Sequence, residues 1–211
     1  MIEYIEISGI KTIVRLPDNY LCGRKYKVIF INDGEIVNNI EQPDNQIYVG
    51  LIPKNRLAAY TPWPYKAIRE GVLDFGGECR EYHNQLVGEI VPYIRKHYNV
   101  YAESMAYGGY SLGGLAAIYS LYFDETFSTI FSVCGSFWYP GFADYVVNNN
   151  VKNTNAAVYL LNGNLLEQAP VKAHMVHEHL MSVMNVTSIF DEYGHHENKS
   201  ERINRIVSGI L

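Results

Sequence analysis

The pentapeptide Gly109-Tyr110-Ser111-Leu112-Gly113 constrains the fold of this chain more than any other segment. The pattern G-x-S-x-G is typical of a nucleophile elbow, a sharp turn between a strand and a helix that exposes a serine hydroxyl. Residues 104–107 are predicted as a short buried strand, and apolar residues at helical spacing follow the serine. We therefore predict an elbow with Ser111 as the nucleophile. The alternative is an ordinary glycine-rich turn with an inert serine.

Strands and helices are predicted to alternate along the rest of the chain. The predicted strands are 14–17, 26–31, 46–52, 129–133, 157–161 and 186–190, and the predicted helices are 81–97, 171–184 and 197–210. The middle strands are apolar almost throughout, which is typical of parallel strands covered on both faces. The sequence therefore predicts an α/β fold with a mostly parallel central sheet and helices on both faces. Because no repeat or linker divides the sequence, residues 1–211 are predicted to form one domain.

Charge and composition narrow the class of partner and the compartment. The net charge is -5 at pH 7 and basic residues are scattered, which argues against nucleic acid or an anionic membrane as partner. Neither a secretory signal nor a long apolar span is visible in the sequence. Cys22, Cys79 and Cys134 lie far apart without CxxC spacing, which fits reduced core or surface thiols, and nothing local supports Cys134 as a nucleophile. We therefore expect a cytoplasmic protein.

A serine needs a base to accept its proton, and the predicted order of catalytic residues is serine, acid, histidine. His195 lies in the loop after the last predicted strand and is the first candidate for the base. His196 is the alternative, and both could be exposed loop histidines without a role. Histidine suits this task because its pKa lies near neutral pH.

The acid is expected in the loop after the strand 157–161, where Glu167 is the carboxylate. A charge at the start of a helix is a competing interpretation of Glu167. Asp191 and Glu192 are rivals, but they lie so close in sequence to His195 that a correctly oriented bond would be harder to form.

Two backbone N–H groups are expected to bind the oxyanion that develops during the reaction. One belongs to Leu112, the residue after the nucleophile, and the other is assigned to Glu35, in the turn after the strand 26–31. A plain turn is the alternative at 32–34. The histidines at 174, 177 and 179 match no zinc-binding motif, so we predict an exposed helix face and no metal.

Several segments spread over most of the chain carry a resemblance to a known family. These are 12–17, 28–34, 49–52, 55–56, 60–62, Glu89-Ile90-Val91-Pro92-Tyr93-Ile94, the elbow with Gly114, and Ser136-Phe137-Trp138. In these segments the chain resembles the putative esterase family of α/β-hydrolases, which includes esterase D and the enterochelin esterases. The resemblance implies an α/β-hydrolase sheet with Ser111 as nucleophile and His195 as base. Relatives place the acid in a G-x-x-E or G-x-x-D pattern, whereas Glu167 falls one place later, and some relatives work with a serine–histidine pair alone.

The expected function is hydrolysis of a small or soluble carboxylic ester through an acyl-enzyme, without a cofactor. No sizeable insertion follows the strand 129–133, so little or no lid is expected. Trp138 and Arg56 are candidate substrate contacts, with core packing and a surface charge as the competing interpretations. Acyl transfer to an acceptor other than water, and a catalytically silent binding protein, are the alternative functions.

Overall fold

The structure, a computed structural model, describes residues 1–68, 70–164 and 170–209. The chain forms two compact units, Met1–Met105 and Ala106–Leu211. None of the helices in the described ranges is long and apolar enough to cross a membrane.

The first unit begins with a hairpin and continues into parallel strands. Its elements are β1 (Ile2–Ile7), β2 (Ile10–Arg15), β3 (Tyr26–Asn32), a 3-10 helix (Gly34–Asn38), β4 (Gln46–Ile52), α1 (Arg56–Ala59), α2 (Cys79–Gln85), a π-helical turn (Leu86–Ile90) and α3 (Val91–His97). β2 pairs antiparallel with both β1 and β4, whereas β3 pairs parallel with β4. β3 is buried along nearly its whole length, as expected for a parallel strand covered on both faces.

A π-helical turn joins α2 and α3, so the predicted helix 81–97 is continuous in extent but irregular in its middle. The Val91 N–H donates to the Leu86 carbonyl, five residues earlier. Pro92 follows, and its missing N–H and its ring do not fit a regular helix interior. The wider turn accommodates the proline without ending the helix.

The second unit is a run of parallel strands with helices between them. Its elements are β5 (Val100–Tyr110), which begins in the first unit, α4 (Leu112–Ser120), β6 (Thr129–Val133), α5 (Phe142–Asn148), β7 (Ala157–Gly163), α6 (Pro170–Val183), β8 (Val186–Asp191) and α7 (Lys199–Gly209). β5 to β8 pair in sequence order, each parallel to the next. Because parallel strands end at the same edge, the segments that follow β5, β6, β7 and β8 lie together there. That edge carries the candidate site.

The predicted α/β architecture with a mostly parallel sheet is confirmed, and the differences lie in short elements. The sequence interpretation missed β1, α1 and α5, and it began β2 four residues late. β5 is longer than the predicted strand 104–107. The last helix begins at Lys199 rather than at residue 197, which leaves residues 195–197 in a turn before it.

Candidate active site

Ser111 stands between the end of β5 and the start of α4 in a backbone conformation with φ 58° and ψ -121°. A positive φ is rare for a residue with a side chain and is kept only where the surroundings enforce it. Here the Ser111 N–H donates to the Val133 carbonyl (3.0 Å), and the Ser111 carbonyl accepts from the N–H groups of Leu115 (3.0 Å) and Ser136 (3.1 Å). These bonds from β6, α4 and the turn after β6 hold the elbow that the motif predicts.

Close packing of the elbow against β6 explains two of the glycines around it. A side chain at Gly108 would place its first carbon 2.3 Å from the ring of Phe131. At Gly114 the added carbon would lie 2.4 Å from the Ser132 Oγ. Both positions therefore require glycine for the close approach of backbone and neighbour.

His195 lies in the turn between β8 and α7, and its Nε2 is 3.1 Å from the Ser111 Oγ. Both residues are half-buried, so the pair is reached by solvent. The His195 ring also lies 5.3 Å from the ring of Tyr110, the last residue of β5. His196 is exposed, and its ring meets that of His195 edge-on at 4.8 Å. Of the two histidines that the sequence nominates, the structure joins His195 to the serine.

The turn that carries His195 is closed through Gly194. The Glu197 carboxylate accepts the Gly194 N–H (2.8 Å), and the Glu197 N–H donates back to the Gly194 carbonyl (3.3 Å). Arg202 of α7 donates to the same carbonyl at 3.0 Å. Glu197 and Arg202 thus fix the backbone directly before His195.

Arg202 is also paired with Asp191, the last residue of β8. Its Nη2 lies 3.0 Å from Oδ1 and its Nε 2.8 Å from Oδ2, and the two side chains are 2% and 9% exposed. Asp191 Oδ1 further accepts the Tyr193 N–H at 3.2 Å. Both oxygens of this rival acid are therefore engaged by a buried guanidinium. Sequence reasoning missed Arg202, because its role depends on how α7 packs against the sheet.

Glu167, the first candidate for the acid, lies outside the described residues. The described residues that precede it, Gly163 and Asn164, lie next to Asp191. Gly163 of β7 lies opposite Asp191 of β8, and the Asn164 N–H donates to the Asp191 carbonyl at 2.7 Å. The described chain after β7 thus reaches Asn164 beside the end of β8, four residues before His195. Glu192, the other rival, is exposed.

Ser136 also contacts the candidate nucleophile, although the sequence interpretation did not assign this residue to the site. Its Oγ lies 3.0 Å from the Ser111 Oγ, and the residue is fully buried. The S-F-W motif was the only signal at this position. Within the same motif Phe137 is buried and stacks on Phe142 (5.9 Å), whereas Trp138 is half-exposed.

His177 is buried, so the prediction of an exposed helix face is wrong for this residue. Its Nδ1 lies 2.8 Å from the Ser188 Oγ, and its Nε2 lies 3.0 Å from the Asn162 Oδ1. Burial, with a smaller effect from His174, lowers the pKa of His177 to about 3, so the ring is neutral at physiological pH. The histidine fills a polar gap between α6 and the sheet, which a motif search on α6 alone could not reveal.

In the first unit, Arg56 forms a two-point ion pair with Asp33. Its Nε lies 2.5 Å from Oδ1 and its Nη2 lies 2.7 Å from Oδ2. Burial lowers the pKa of Arg56, but the hydrogen bond and charge of Asp33 outweigh that effect and raise it overall. The Arg56 side chain remains 40% exposed, so part of the guanidinium also faces solvent.

The turn around Asp33 is held by tyrosine hydroxyls and by close backbone packing. The Asp33 N–H donates to the Tyr60 hydroxyl (2.9 Å), and the Tyr82 hydroxyl donates to the Asn32 Oδ1 (2.6 Å). An added side-chain carbon at Gly34 would lie 2.4 Å from the backbone of Gly50. The turn before Glu35 is therefore rigid.

A serine at an elbow, hydrogen-bonded to a histidine after a later strand of an α/β sheet, is the arrangement found in serine hydrolases of this fold. The model of the family described as "Putative esterase" matches residues 8–202, and the chain belongs to that family. It is thus a hydrolase and, in general type, a serine esterase.

Known proteins are similar to this chain in sequence or in fold. The chain is 29% identical over 178 residues to the uncharacterized protein YbbA of Bacillus subtilis (strain 168), a match that covers 76% of this chain and 71% of YbbA. An IroE-like serine hydrolase from Shewanella oneidensis superimposes with a TM-score of 0.77 at 18% identity, covering 100% of this chain and 78% of the other. Enterobactin hydrolase IroE in complex with DFP gives a TM-score of 0.77 at 15% identity, covering 100% and 94%. These structures share the α/β-hydrolase fold.

Proposed function

We propose that this esterase hydrolyses small or soluble carboxylic esters through an acyl-enzyme on Ser111, with His195 as the base. The observation that carries the proposal is the contact of 3.1 Å between His195 Nε2 and Ser111 Oγ at a strained elbow. A serine hydroxyl is a weak nucleophile until a neighbouring base can accept its proton.

Acylation and deacylation follow from this pair. His195 takes the proton of Ser111 as the Ser111 Oγ bonds to the ester carbonyl carbon. The bond to the alcohol then breaks, and the alcohol leaves with the proton from His195. Water next attacks the acyl-enzyme while His195 accepts its proton, and the acid is released as Ser111 regains its hydrogen.

The N–H groups of Leu112 and Glu35 are proposed to bind the oxyanion. Leu112 begins α4 and Glu35 lies in the first turn of a 3-10 helix, where N–H groups lack partners inside the helix. Among the described residues neither N–H has an acceptor. Both amides are therefore available to a ligand oxygen.

Glu167 is the proposed acid that orients His195. Its support is its place in the sequence soon after β7, whose described end at Asn164 lies beside the end of β8, and the engagement of Asp191 by Arg202. A serine–histidine pair without an acid is the alternative at this position.

Substrates are proposed to be small or soluble esters. The segment between β6 and α5, residues 134–141, is short, and Ser111 and His195 are half-buried rather than sealed. Trp138 and the solvent-facing part of Arg56 are the proposed substrate contacts. Since the structural neighbour IroE is named as an enterobactin hydrolase, enterobactin is the first natural substrate to try.

Release of p-nitrophenol from p-nitrophenyl acetate, followed by stopped flow, tests the proposal. The wild type should give turnover, and Ser111→Ala should lower it by about 10⁴-fold or more. Ser208→Ala, an exposed serine at the end of α7, is the matched control and should keep wild-type rates. Equal background rates for wild type and Ser111→Ala would contradict the proposal, and faster release on adding an alcohol, with the ester of that alcohol as product, would favour acyl transfer.

A further inference from the structure

We propose that Ser136 is a further catalytic residue, whose hydroxyl donates to the Ser111 Oγ and assists its departure when the acyl-enzyme is hydrolysed. The inference rests on the function proposed above and deepens it. It adds a third side chain to the serine and histidine, and it predicts which of the two chemical steps depends on that side chain.

The position of Ser136 is fixed by contacts from several directions. Its N–H donates to the Ser111 carbonyl (3.1 Å), and its own carbonyl accepts from the Tyr139 N–H (2.9 Å). The preceding Gly135 is packed so closely that an added side-chain carbon would lie 2.4 Å from the Ser132 Oγ. Ser136 is fully buried, so its hydroxyl cannot turn to water. It therefore stays within reach of the Ser111 Oγ, at 3.0 Å.

The direction of the bond follows from counting donors and acceptors. Ser111 has one hydrogen and two lone pairs on its oxygen, and His195 Nε2, at 3.1 Å, must accept that hydrogen if His195 acts as the proposed base. Among the described residues, Ser111 Oγ is the only oxygen or nitrogen atom that hydrogen-bonds the Ser136 Oγ. A buried hydroxyl hydrogen requires an acceptor, so Ser136 donates to Ser111 and Ser111 donates to His195.

The hydrogen bond from Ser136 to the Ser111 Oγ should strengthen more during deacylation than during acylation. In the acyl-enzyme the Ser111 Oγ is an ester oxygen, which is a weak acceptor. As the tetrahedral intermediate of deacylation collapses, the carbon–Oγ bond breaks and its electron pair returns to Ser111 while His195 delivers the proton. The Ser136 hydroxyl then faces a growing negative charge, so the bond is stronger in the transition state than in the acyl-enzyme.

Acylation gains less from the same bond. A donor on the Ser111 Oγ stabilises negative charge after proton transfer, but it also withdraws electron density from the attacking oxygen. The two effects oppose one another, so loss of the Ser136 hydroxyl should slow deacylation more than acylation. The kinetic signature is a fall in kcat and in KM together, with kcat/KM nearly unchanged.

Ser136→Ala and Ser132→Ala form a matched pair of variants for the test. Ser132 is a buried serine on β6, and among the described residues its hydroxyl has no partner, so removing it should leave kcat and KM unchanged. For Ser136→Ala we expect deacylation to slow by about tenfold, the worth of one hydrogen bond, with acylation within about twofold of wild type. Stopped flow gives the acylation rate, and intact-protein mass spectrometry of the decaying acetyl-enzyme gives deacylation.

Four outcomes distinguish the possibilities. A selective loss of deacylation supports the inference. Wild-type deacylation in Ser136→Ala, or an equal loss of kcat and kcat/KM, overturns it. Wild-type protein no faster than Ser111→Ala overturns the proposed function instead, so the two failures are distinguishable. If Ser136→Ala unfolds at the assay temperature, Ser136→Cys carries the test, because a thiol is a weaker donor of similar size and should give an intermediate deacylation rate.

Discussion

Arg202 binds both carboxylate oxygens of Asp191 and also donates to the backbone carbonyl of Gly194, which directly precedes His195. One buried guanidinium thus joins the end of β8, the His195 turn and α7. Its position links the stability of the unit to the placement of the imidazole.

Asp191→Asn should destabilise the protein, because the Arg202 guanidinium would stay buried without its counter-charge. We expect a loss of about 3 kcal/mol in the free energy of unfolding, measured by urea denaturation. Glu192→Gln, at the exposed neighbouring carboxylate, is the control and should leave stability unchanged. If the Asp191→Asn protein is as stable as the wild type but has a much lower kcat, Asp191 would instead be the acid that orients His195.

Glu197→Ala should loosen the His195 turn and lower kcat by about tenfold, because the Gly194 N–H loses its carboxylate acceptor. Glu197→Gln keeps an acceptor oxygen and should restore most of the activity. Glu201→Ala, at an exposed carboxylate of the same helix, should resemble the wild type. If Glu197→Ala and Glu197→Gln lower kcat equally, activity depends on the negative charge of Glu197 rather than on its hydrogen bond within the turn.

His177 should make stability depend on pH. Its folded-state pKa of about 3 lies below the ordinary 6.5, so the unfolded chain binds the proton more readily. The contribution is fully present above pH 6.5 and is lost as the pH falls toward 3. Between pH 7 and 4.5 we expect the wild type to lose about 2 kcal/mol more than His177→Gln, by urea denaturation at both pH values. His179→Gln should keep the wild-type pH dependence, and the same dependence in His177→Gln would contradict the assignment.

Arg56→Gln should separate substrate binding from turn support. If the solvent-facing part of the guanidinium contacts substrate, KM should rise about tenfold for an anionic ester and little for a neutral ester of similar size. Lys54→Gln removes an exposed charge nearby and serves as the control. If Arg56→Gln instead lowers kcat equally for both esters, and Asp33→Asn has the same effect, Arg56 does not contact the substrate. Its role would then be to hold the turn before Glu35.

Local signals predicted the parts of the fold and site that depend on short stretches of chain. The elbow follows from the glycines around Ser111 and the apolar runs beside it. His195 follows from its place after the last parallel strand. Helix 81–97 was found by its periodicity, although its π-helical turn at Leu86–Ile90 was not expected.

Long-range packing decided what the sequence could not predict. The Asp191–Arg202 pair forms only because α7 returns to the end of β8. The burial of His177 depends on Asn162 and Ser188, which lie on two strands beneath α6. In each case a polar side chain read as exposed or unremarkable gains its role from elements distant in sequence.

The most direct test of the central claim is covalent labelling with a fluorophosphonate, followed by tandem mass spectrometry. The adduct should form on Ser111, at a rate lowered about 10³-fold or more in His195→Ala and almost unchanged in Ser208→Ala. An adduct on another residue, or labelling of Ser111 at the same rate with and without His195, would contradict the account.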